Sequence, residues 1–222
     1  MIEQVSSSCI RYLNLKDSEL LRSSAFERVL VRYASEVESF SLNRKIEFLA
    51  GRVIAGELLN ELGYSDYYLA RKDSGEPLWP PNVVGSISHD KDLVGVIVDL
   101  KHRCRHVGLD VHATVDFEQV PRLIKRFEQM PESRLRAICD ANSISMNMLL
   151  NLIWSAKEAA FKSLSQNKRV THLRQLLTTE VVTECSVTHS FGFSFVAPDN
   201  TEREVISLFN DDYIRSTCRV TK

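Results

Sequence analysis

The sequence lacks several features that would assign it to a specialised class of protein. No apolar run is long enough to span a bilayer, and the N-terminus lacks the basic-then-apolar pattern of a signal peptide. The net charge is −1, which gives no indication of nucleic acid or an anionic membrane as a partner. A Walker-type GxxxxGKS or GxxxxGKT loop is absent, which argues against a nucleotide-binding ATPase. We therefore expect a cytoplasmic protein with no transmembrane segment.

The chain is also poor in cysteine patterns. Its five cysteines are scattered and never form a CxxC pair: Cys9, Cys104, Cys139, Cys185 and Cys218. An odd, dispersed set argues against a disulfide framework and against a cysteine zinc site. The set fits a reducing compartment, where each thiol acts as a small hydrophobe.

The pattern of apolar residues predicts helix and antiparallel strands in both halves of the 222-residue chain. In the first half, a helix is predicted over Asn43–Leu62, with Phe48, Leu49, Val53, Leu58 and Leu59 on its apolar side and Gly63 as a stop signal. Strand-like Tyr67–Ala70 leads into a turn at Lys72–Pro77. Strands are predicted over Val83–His89, Leu93–Val98 and, after a basic turn at Lys101–His106, Val107–His112.

The second half repeats this order. Helical segments are predicted around Val120–Phe127 and Arg134–Ala141, then a long helix over Ser145–Ser165. Strands are predicted over Leu176–Val187, Ser190–Val196, Glu204–Phe209 and Tyr213–Val220. Phe48–Leu59 and Ile153–Leu164 align without a gap, a weak internal match that suggests two similar subdomains facing a common cleft.

Acidic and basic residues on the last long helix are candidates for a site. Trp154, Glu158, Phe161 and Lys162 share one sector of that helix, and Glu158 and Lys162 have the spacing of a helical ion pair. Asp110 and His112 alternate on one strand and point to the same face. Asp110 and Glu158 together could form an oxygen site suited to Mg²⁺. A surface ion pair, or Asp110 capping a turn or pairing with a lysine, is the alternative.

Several residues that could bind phosphate accompany this candidate metal site. Arginine grips a phosphate through two parallel hydrogen bonds, whereas lysine acts as a mobile point charge and histidine can donate from a strand end. The candidates are Arg44, Arg52, Lys72, Ser88, His89, Lys157 and Lys162. None of them is specific by itself.

Taken in order, these segments resemble the 4′-phosphopantetheinyl transferases, and within that family the group associated with siderophore synthetases. The motifs are Gly75-Glu76-Pro77 with Leu78-Trp79-Pro80, Gly85-Ser86-Ile87-Ser88-His89, Gly108-Leu109-Asp110, and Trp154-Ser155-Ala156-Lys157-Glu158 with Lys162. The resemblance runs from about Arg44 to Lys162.

The resemblance implies a fold and an activity. The fold would be α/β (α+β), with two similar subdomains related by a pseudo-twofold axis, each a small antiparallel sheet packed with a long helix, and the active site in the cleft between them. Residues 1–106 would bind coenzyme A phosphates, and residues 107–222 would carry the metal and catalytic residues. The protein, expected to be a monomer, would transfer phosphopantetheine from coenzyme A to a serine of an acyl or peptidyl carrier protein, releasing adenosine 3′,5′-bisphosphate.

The resemblance also implies residue roles. Arg44, Arg52, Lys72, Ser88 and His89 would hold coenzyme A phosphates, and Lys157 and Lys162 would meet the diphosphate. Asp110 and Glu158 would bind Mg²⁺. Glu158 would take the serine proton, directly or through a metal-bound water.

One position departs from the family pattern, because His112 stands where a second strand carboxylate is usual. Water could fill the vacated coordination position, His112 could act as the general base, or the protein could be a catalytically silent coenzyme A-binding protein with a regulatory role. We favour the first interpretation, because Glu158, both lysines and His89 are retained.

The basic turn at Lys101–His106 admits other interpretations. Its alternating His, Cys and His suggest zinc, and its charge suggests nucleic acid. A solvated hairpin turn accounts for it better, since no second ligand pair and no interleaved aromatic residues accompany it.

Overall fold

A computed structural model describes residues 2–5, 8–16, 19–117, 126–164, 170–185, 189–210 and 212–221. The chain divides into two compact units, Met1–Cys104 and Arg105–Lys222. Each unit has an antiparallel sheet, helices and a hydrophobic core of its own. The mixed α+β class predicted from the sequence is therefore confirmed. The pseudo-twofold axis, the cleft site and the functional division at residue 106 stay predictions.

The first unit contains a four-stranded sheet in the order β1-β2-β4-β3, with antiparallel neighbours. Its elements are β1 (Ile2–Val5), β2 (Ser8–Asn14), a short 3₁₀ helix (Glu19–Arg22), α1 (Ser24–Arg32), α2 (Ala34–Val37), α3 (Leu42–Glu61), β3 (Val83–Asp90) and β4 (Leu93–Leu100). Two strands and three helical segments thus precede α3, so the expectation that each half is a helix followed by strands is wrong for this unit.

Helix α3 is the central element of the first unit. Ser41 caps its first turn by accepting a hydrogen bond from the Arg44 amide, and the helix ends just before Gly63, whose φ of 88° lies in the left-handed region that favours glycine. The apolar residues predicted for its inner side are all buried. Ala50 and Ile54 pack with Val94 and Val96 of β4 in one cluster, so burial of this face fixes the helix on the sheet.

The second unit contains a five-stranded sheet in the order β5-β9-β8-β7-β6. Its elements are β5 (Cys104–Ala113, which begins at the last residue of the first unit), α4 (Glu132–Asn142), α5 (Met146–Ser163), a short 3₁₀ helix (Leu173–Gln175), β6 (Leu177–Cys185), β7 (Ser190–Val196), β8 (Glu202–Phe209) and β9 (Tyr213–Thr221). Alternate residues of the strands, such as Phe193, Val205 and Ile214, pack against the apolar side of α5.

Most predicted elements are confirmed within a few residues, and two are wrong. The expected hairpin turn at Lys101–His106 joins no hairpin, because Cys104–His106 belong to β5, which lies in a different sheet from β4. Tyr67–Ala70 forms no strand: the Leu69 amide donates to the Tyr33 hydroxyl, and pairing nearby is limited to an isolated bridge between Arg71 and Pro77. Of the helix predicted over Val120–Phe127, residues 120–125 lie outside the described residues, as do Ser165 of the long helix and residues 186 and 187 of the Leu176–Val187 strand. Among the described helices, none is long and apolar enough to cross a membrane.

Candidate functional site

Strand β5 and helix α5 pack against each other, and alternate residues of the strand contact successive turns of the helix. Two strand residues span about 6.6 Å and one helical turn about 5.4 Å, so alternate side chains of the strand meet successive turns of the helix. Gly108 makes the close approach possible: a Cβ atom at this position would lie 1.9 Å from the Ala159 carbonyl oxygen. The glycine of the Gly108-Leu109-Asp110 motif is therefore required by packing against α5.

Asp110 is the acidic residue at the centre of this contact. Its side chain is buried, the Ser155 hydroxyl donates to Oδ2 at 2.8 Å, and Lys162 Nζ donates to Oδ1 at 2.7 Å. Ser155 and Lys162 both lie on α5, so the helix holds the carboxylate with one neutral and one charged donor. Such charge-assisted hydrogen bonds fix the direction of the carboxylate.

Glu158 lies on α5 between Ser155 and Lys162. Burial raises the pKa of its carboxyl group; the positive charge of Lys162 opposes that shift and the negative charge of Asp110 adds to it. Two carboxylates that repel each other at a partly dehydrated position are what a divalent cation relieves. Among the described residues, no group of three or more His, Cys, Asp or Glu could hold a metal ion. Two carboxylates nevertheless fit Mg²⁺, which fills its other positions with water and phosphate oxygens.

His112 lies one strand step beyond Asp110 and contacts α5 through Asn151. His112 Nε2 and Asn151 Oδ1 are 2.9 Å apart, and the imidazole ring packs near Trp154, with ring centroids 6.4 Å apart. Sequence reasoning missed Asn151. The signal was present, because an amide inside the apolar run Met148–Ile153 needs a buried partner.

Lys157 lies in a different environment from the one predicted. Its side chain is 0% exposed, Nζ donates to the Phe127 carbonyl at 2.6 Å, and Nζ lies 3.1 Å from Glu128 Oε2. Burial lowers the pKa of the lysine, and Glu128 opposes that shift. The role of Lys157 as a diphosphate ligand stays a prediction that this buried ion pair does not support. No sequence pattern indicated Glu128.

In the first unit, Arg44 and His89 lie together. Arg44 Nη1 contacts His89 Nε2, and His89 Nδ1 lies 3.0 Å from Glu47 Oε2. Ser88, the next residue back on β3, is buried. Helix α3 thus supplies a cation and an anion around the imidazole at the end of β3, where the sequence predicted a phosphate-binding residue.

Arg52 is the most unusual cation of the first unit. Its side chain is buried, and Nε and Nη2 have no hydrogen-bond partner among the described residues. The guanidinium carbon lies 4.2 Å from the Phe48 ring centroid and 5.8 Å from that of Tyr33. Burial lowers the pKa of Arg52, with Tyr33 and Glu36 opposing. Burying N–H groups without hydrogen bonds costs free energy. An anion that accepted hydrogen bonds from Nε and Nη2 would remove this cost.

Two neighbouring basic residues of the first unit, Arg71 and Lys72, have contacts of their own. Lys72 Nζ lies 3.0 Å from Glu76 Oε2 across the predicted turn, where Gly75 adopts a φ of 92°. Arg71, which the sequence analysis did not select, lies over the Phe40 ring at 5.8 Å, the same distance as Arg44. Five predicted residues and the unpredicted Arg71 therefore belong to this unit; the five are Arg44, Arg52, Lys72, Ser88 and His89.

The family motifs of the first unit also have a packing explanation. A Cβ atom on Gly85 would lie 2.6 Å from the indole ring of Trp79, so the Leu78-Trp79-Pro80 segment requires glycine on β3. These motifs, with the acidic and basic residues of β5 and α5, carry the resemblance to the 4′-phosphopantetheinyl transferases, and the comparisons with known proteins agree with it. The family described as "4'-phosphopantetheinyl transferase N-terminal domain" matches residues 32–99.

The chain is also similar to individual proteins of known activity, each over part of its length. The chain is 31% identical to enterobactin synthase component D of Escherichia coli (strain K12) over 134 residues, which cover 60% of this chain and 61% of the relative. It is 30% identical to the 4'-phosphopantetheinyl transferase Npt of Nocardia iowensis over 122 residues, 54% of this chain and 51% of the relative. It is 36% identical to the 4'-phosphopantetheinyl transferase PptT of Mycobacterium tuberculosis over 67 residues, 30% of each. The chain thus spans about half to six-tenths of the length of the enterobactin synthase relatives.

Proposed function

We propose that this protein transfers the 4′-phosphopantetheine group of coenzyme A to a serine of an acyl or peptidyl carrier protein and releases adenosine 3′,5′-bisphosphate. The single observation that carries the proposal is the set formed by Asp110, Glu158 and Lys162 in the second unit. Two adjacent carboxylates beside an ammonium group suit a reaction at a diphosphate, and the match to the family supports coenzyme A as the donor of that diphosphate.

The reaction forms one bond and breaks one. The serine hydroxyl oxygen attacks the phosphorus that carries the pantetheine arm, and the bond from that phosphorus to the bridging oxygen of the diphosphate breaks. Glu158 accepts the serine proton as the general base. In the metal-free protein, burial raises the pKa of this carboxyl group. Lys162 lies beside Asp110 and neutralises negative charge on the departing bisphosphate.

Asp110 and Glu158 are the residues that would hold Mg²⁺. When bound, the ion would neutralise charge on the non-bridging diphosphate oxygens. Ser155 and Lys162 keep the Asp110 carboxylate in a fixed direction. Lys162 and a bound Mg²⁺ would therefore both neutralise negative charge on the diphosphate.

The cations of the first unit support binding of the coenzyme A phosphates. Arg52 has two unbonded N–H groups at a buried position, and a phosphate can accept both. Arg44, Lys72, Ser88 and His89 are the further ligands that we propose. Lys157 is left out of this set because its ammonium group is fully buried and paired with Glu128, whereas the pair between Lys72 and Glu76 is partly exposed to solvent.

A role in siderophore or other non-ribosomal peptide synthesis is the finer part of the proposal. It is supported by the enterobactin synthase component D relatives, at about 31% identity over part of their length. The proposed acceptor is an aryl or peptidyl carrier domain of such a synthetase, in the cytoplasm.

Mass spectrometry of purified carrier domains after incubation with coenzyme A and Mg²⁺ tests this function. We expect one serine to gain a phosphopantetheine group, and we expect Asp110→Ala to abolish the modification while His112→Ala lowers it modestly. Binding of coenzyme A without modification of any carrier would favour the alternative, a catalytically silent coenzyme A-binding protein with a regulatory role.

A further inference from the structure

The side chain of Asn151 is fully buried and its orientation is set by the backbone around it. Its Nδ2 donates to the carbonyl oxygens of Val115 at 2.7 Å and Asn147 at 2.8 Å, and its Oδ1 accepts from the Val115 amide at 2.7 Å. Exchanging the amide nitrogen and oxygen would place donors against a donor and an acceptor against acceptors. The backbone contacts therefore assign Oδ1 as the atom that faces His112.

This orientation determines where the His112 ring carries a proton. Oδ1 is an acceptor only, and it lies 2.9 Å from His112 Nε2, so Nε2 must be the donor. A nitrogen that carries a proton has no lone pair for a metal ion or for a substrate proton. The Nε2 atom is thus excluded from both catalytic roles considered for this histidine.

Among the described residues, His112 does not join Asp110 and Glu158 in a group that could hold a metal ion. The ring packs near Trp154 and is 8% exposed, so its plane is confined by neighbours on α5.

We propose that Asn151 is a positioning residue that fixes His112 as the Nε2–H tautomer and keeps its imidazole away from the metal, which Asp110 and Glu158 then hold alone. The metal part of this inference rests on the proposed function. Asn151 has a second task on the same contacts: its two bonds to Val115, together with the bond from the Phe117 amide to Asn147 Oδ1 at 2.8 Å, fasten the segment after β5 to α5.

Nitrogen NMR of the histidine rings in the metal-free protein tests the tautomer without any assay of transfer. We expect His112 to show the Nε2–H pattern, with a slowly exchanging ring proton. The signals that are missing in His112→Gln identify this ring. Asn151→Ala should lose the slow exchange and show a mixture of tautomers. An Nδ1–H tautomer in the unsubstituted protein would overturn the proposal, whether or not any variant folds.

Pulsed EPR with Mn²⁺ in place of Mg²⁺ tests the metal part. We expect no directly bound imidazole nitrogen in the unsubstituted protein, a nitrogen coupling in Asn151→Ala, and its loss in the double variant Asn151→Ala/His112→Gln. A nitrogen coupling without substitution, or none in Asn151→Ala, would contradict the role given to Asn151.

The two proposals fail in different ways. If carrier domains stay unmodified while the NMR pattern is the Nε2–H pattern, the transferase function is wrong and the tautomer assignment stands. If carriers are modified and Mn²⁺ shows a histidine nitrogen, the function stands and the positioning role of Asn151 is wrong.

Discussion

Lys157 and Lys162 lie on the same helix in opposite environments. Lys162 is 29% exposed and holds Asp110, whereas Lys157 is 0% exposed and holds Glu128. Glu128 also accepts from the Gln129 and Met130 amides and from the Thr178 hydroxyl, so its carboxylate is fully hydrogen-bonded. Two lysines of one motif thus have different tasks, one at the site and one in the core.

Removing one member of the buried pair should destabilise the fold. Lys157→Met leaves the Glu128 charge buried without its cation, which we expect to cost about 3–5 kcal/mol. The double variant Lys157→Met/Glu128→Gln should regain much of that loss. Urea unfolding measures both. A Lys157→Met protein as stable as the unsubstituted one would show that the pair contributes little and would reopen the predicted ligand role of this lysine.

Lys162→Ala tests the second lysine. We expect transfer to the carrier to fall by about a hundredfold or more, since a donor to the developing charge is lost. Stability should fall by less than in Lys157→Met, because Lys162 is 29% exposed and Asp110 keeps the hydrogen bond from the Ser155 hydroxyl. Steady-state kinetics with coenzyme A and a carrier domain provide the measurement. Lys157→Arg, which retains the buried charge, is the matched control, and equal losses in both variants would contradict the assignment.

The raised pKa of Glu158 predicts a pH dependence. The unfolded carboxyl ionises at its ordinary value while the folded one still holds its proton, so the metal-free protein loses stability as pH rises through that interval. Glu158→Gln removes this loss. Its stability relative to the unsubstituted protein should therefore increase from the ordinary carboxyl pKa, about 4, up to the raised pKa of Glu158. Thermal unfolding across this range in a chelator measures the trend, and a constant difference would contradict it.

Sequence reasoning selected Glu158 and Lys162 because residues four apart on a helix share one side of it. It selected Asp110 because alternate residues of a strand, here Asp110 and His112, share one face. It did not separate Lys157 from Lys162, since the two differ only in which side of α5 is covered by the segment around Glu128. The hydrogen bond between His112 and Asn151 was equally out of reach, because it depends on how β5 is aligned against α5.

At the scale of elements, the strand–helix contact between β5 and α5 depends on Gly108. Gly108→Ala places a Cβ atom 1.9 Å from a backbone oxygen, so the strand or helix must move. We expect a destabilisation of about 1–3 kcal/mol and a larger proportional loss of transfer. Gly56→Ala on α3 is the matched control, as nothing lies within 4 Å of its added Cβ, and it should stabilise the protein by about 0.5–1 kcal/mol. Equal effects would contradict the packing argument.

The elements that the sequence predicted best were those with strong periodicity and clear ends. Helix α3 is bounded by Ser41 and Gly63. In the hairpin β3–β4, burial alternates along β3 and is nearly continuous along β4, with a polar turn between the two strands. Tyr67–Ala70 has strand-forming residues, yet its backbone bonds to the Tyr33 hydroxyl, a contact between distant parts of the chain that local propensity does not contain.

At the scale of the whole molecule, binding of coenzyme A should show itself as a rise in stability. Arg52→Met removes a guanidinium whose Nε and Nη2 are unbonded among the described residues, so the ligand-free protein should be at least as stable as before. The stabilisation by coenzyme A should become smaller. Thermal unfolding with and without coenzyme A measures both effects, and an unchanged response to coenzyme A would exclude Arg52 as a ligand.

The α+β class followed from the order of helices and strands along the chain. The strands β1 and β2 were not predicted. In the sheet order β1-β2-β4-β3, β2 pairs with β4, so the first strands of the unit are joined to its last, and no local pattern states such a pairing.

The contacts of alternate β5 residues with successive turns of α5 determine which kinds of genetic change this part of the protein can tolerate. A substitution alters one contact and leaves the others in place. One residue inserted or deleted between Gly108 and His112 would turn every later side chain of the strand to the opposite face. The contacts that α5 makes through Ser155 and Asn151 would then be lost together. We therefore expect natural variation along this stretch to consist of replacements at constant length.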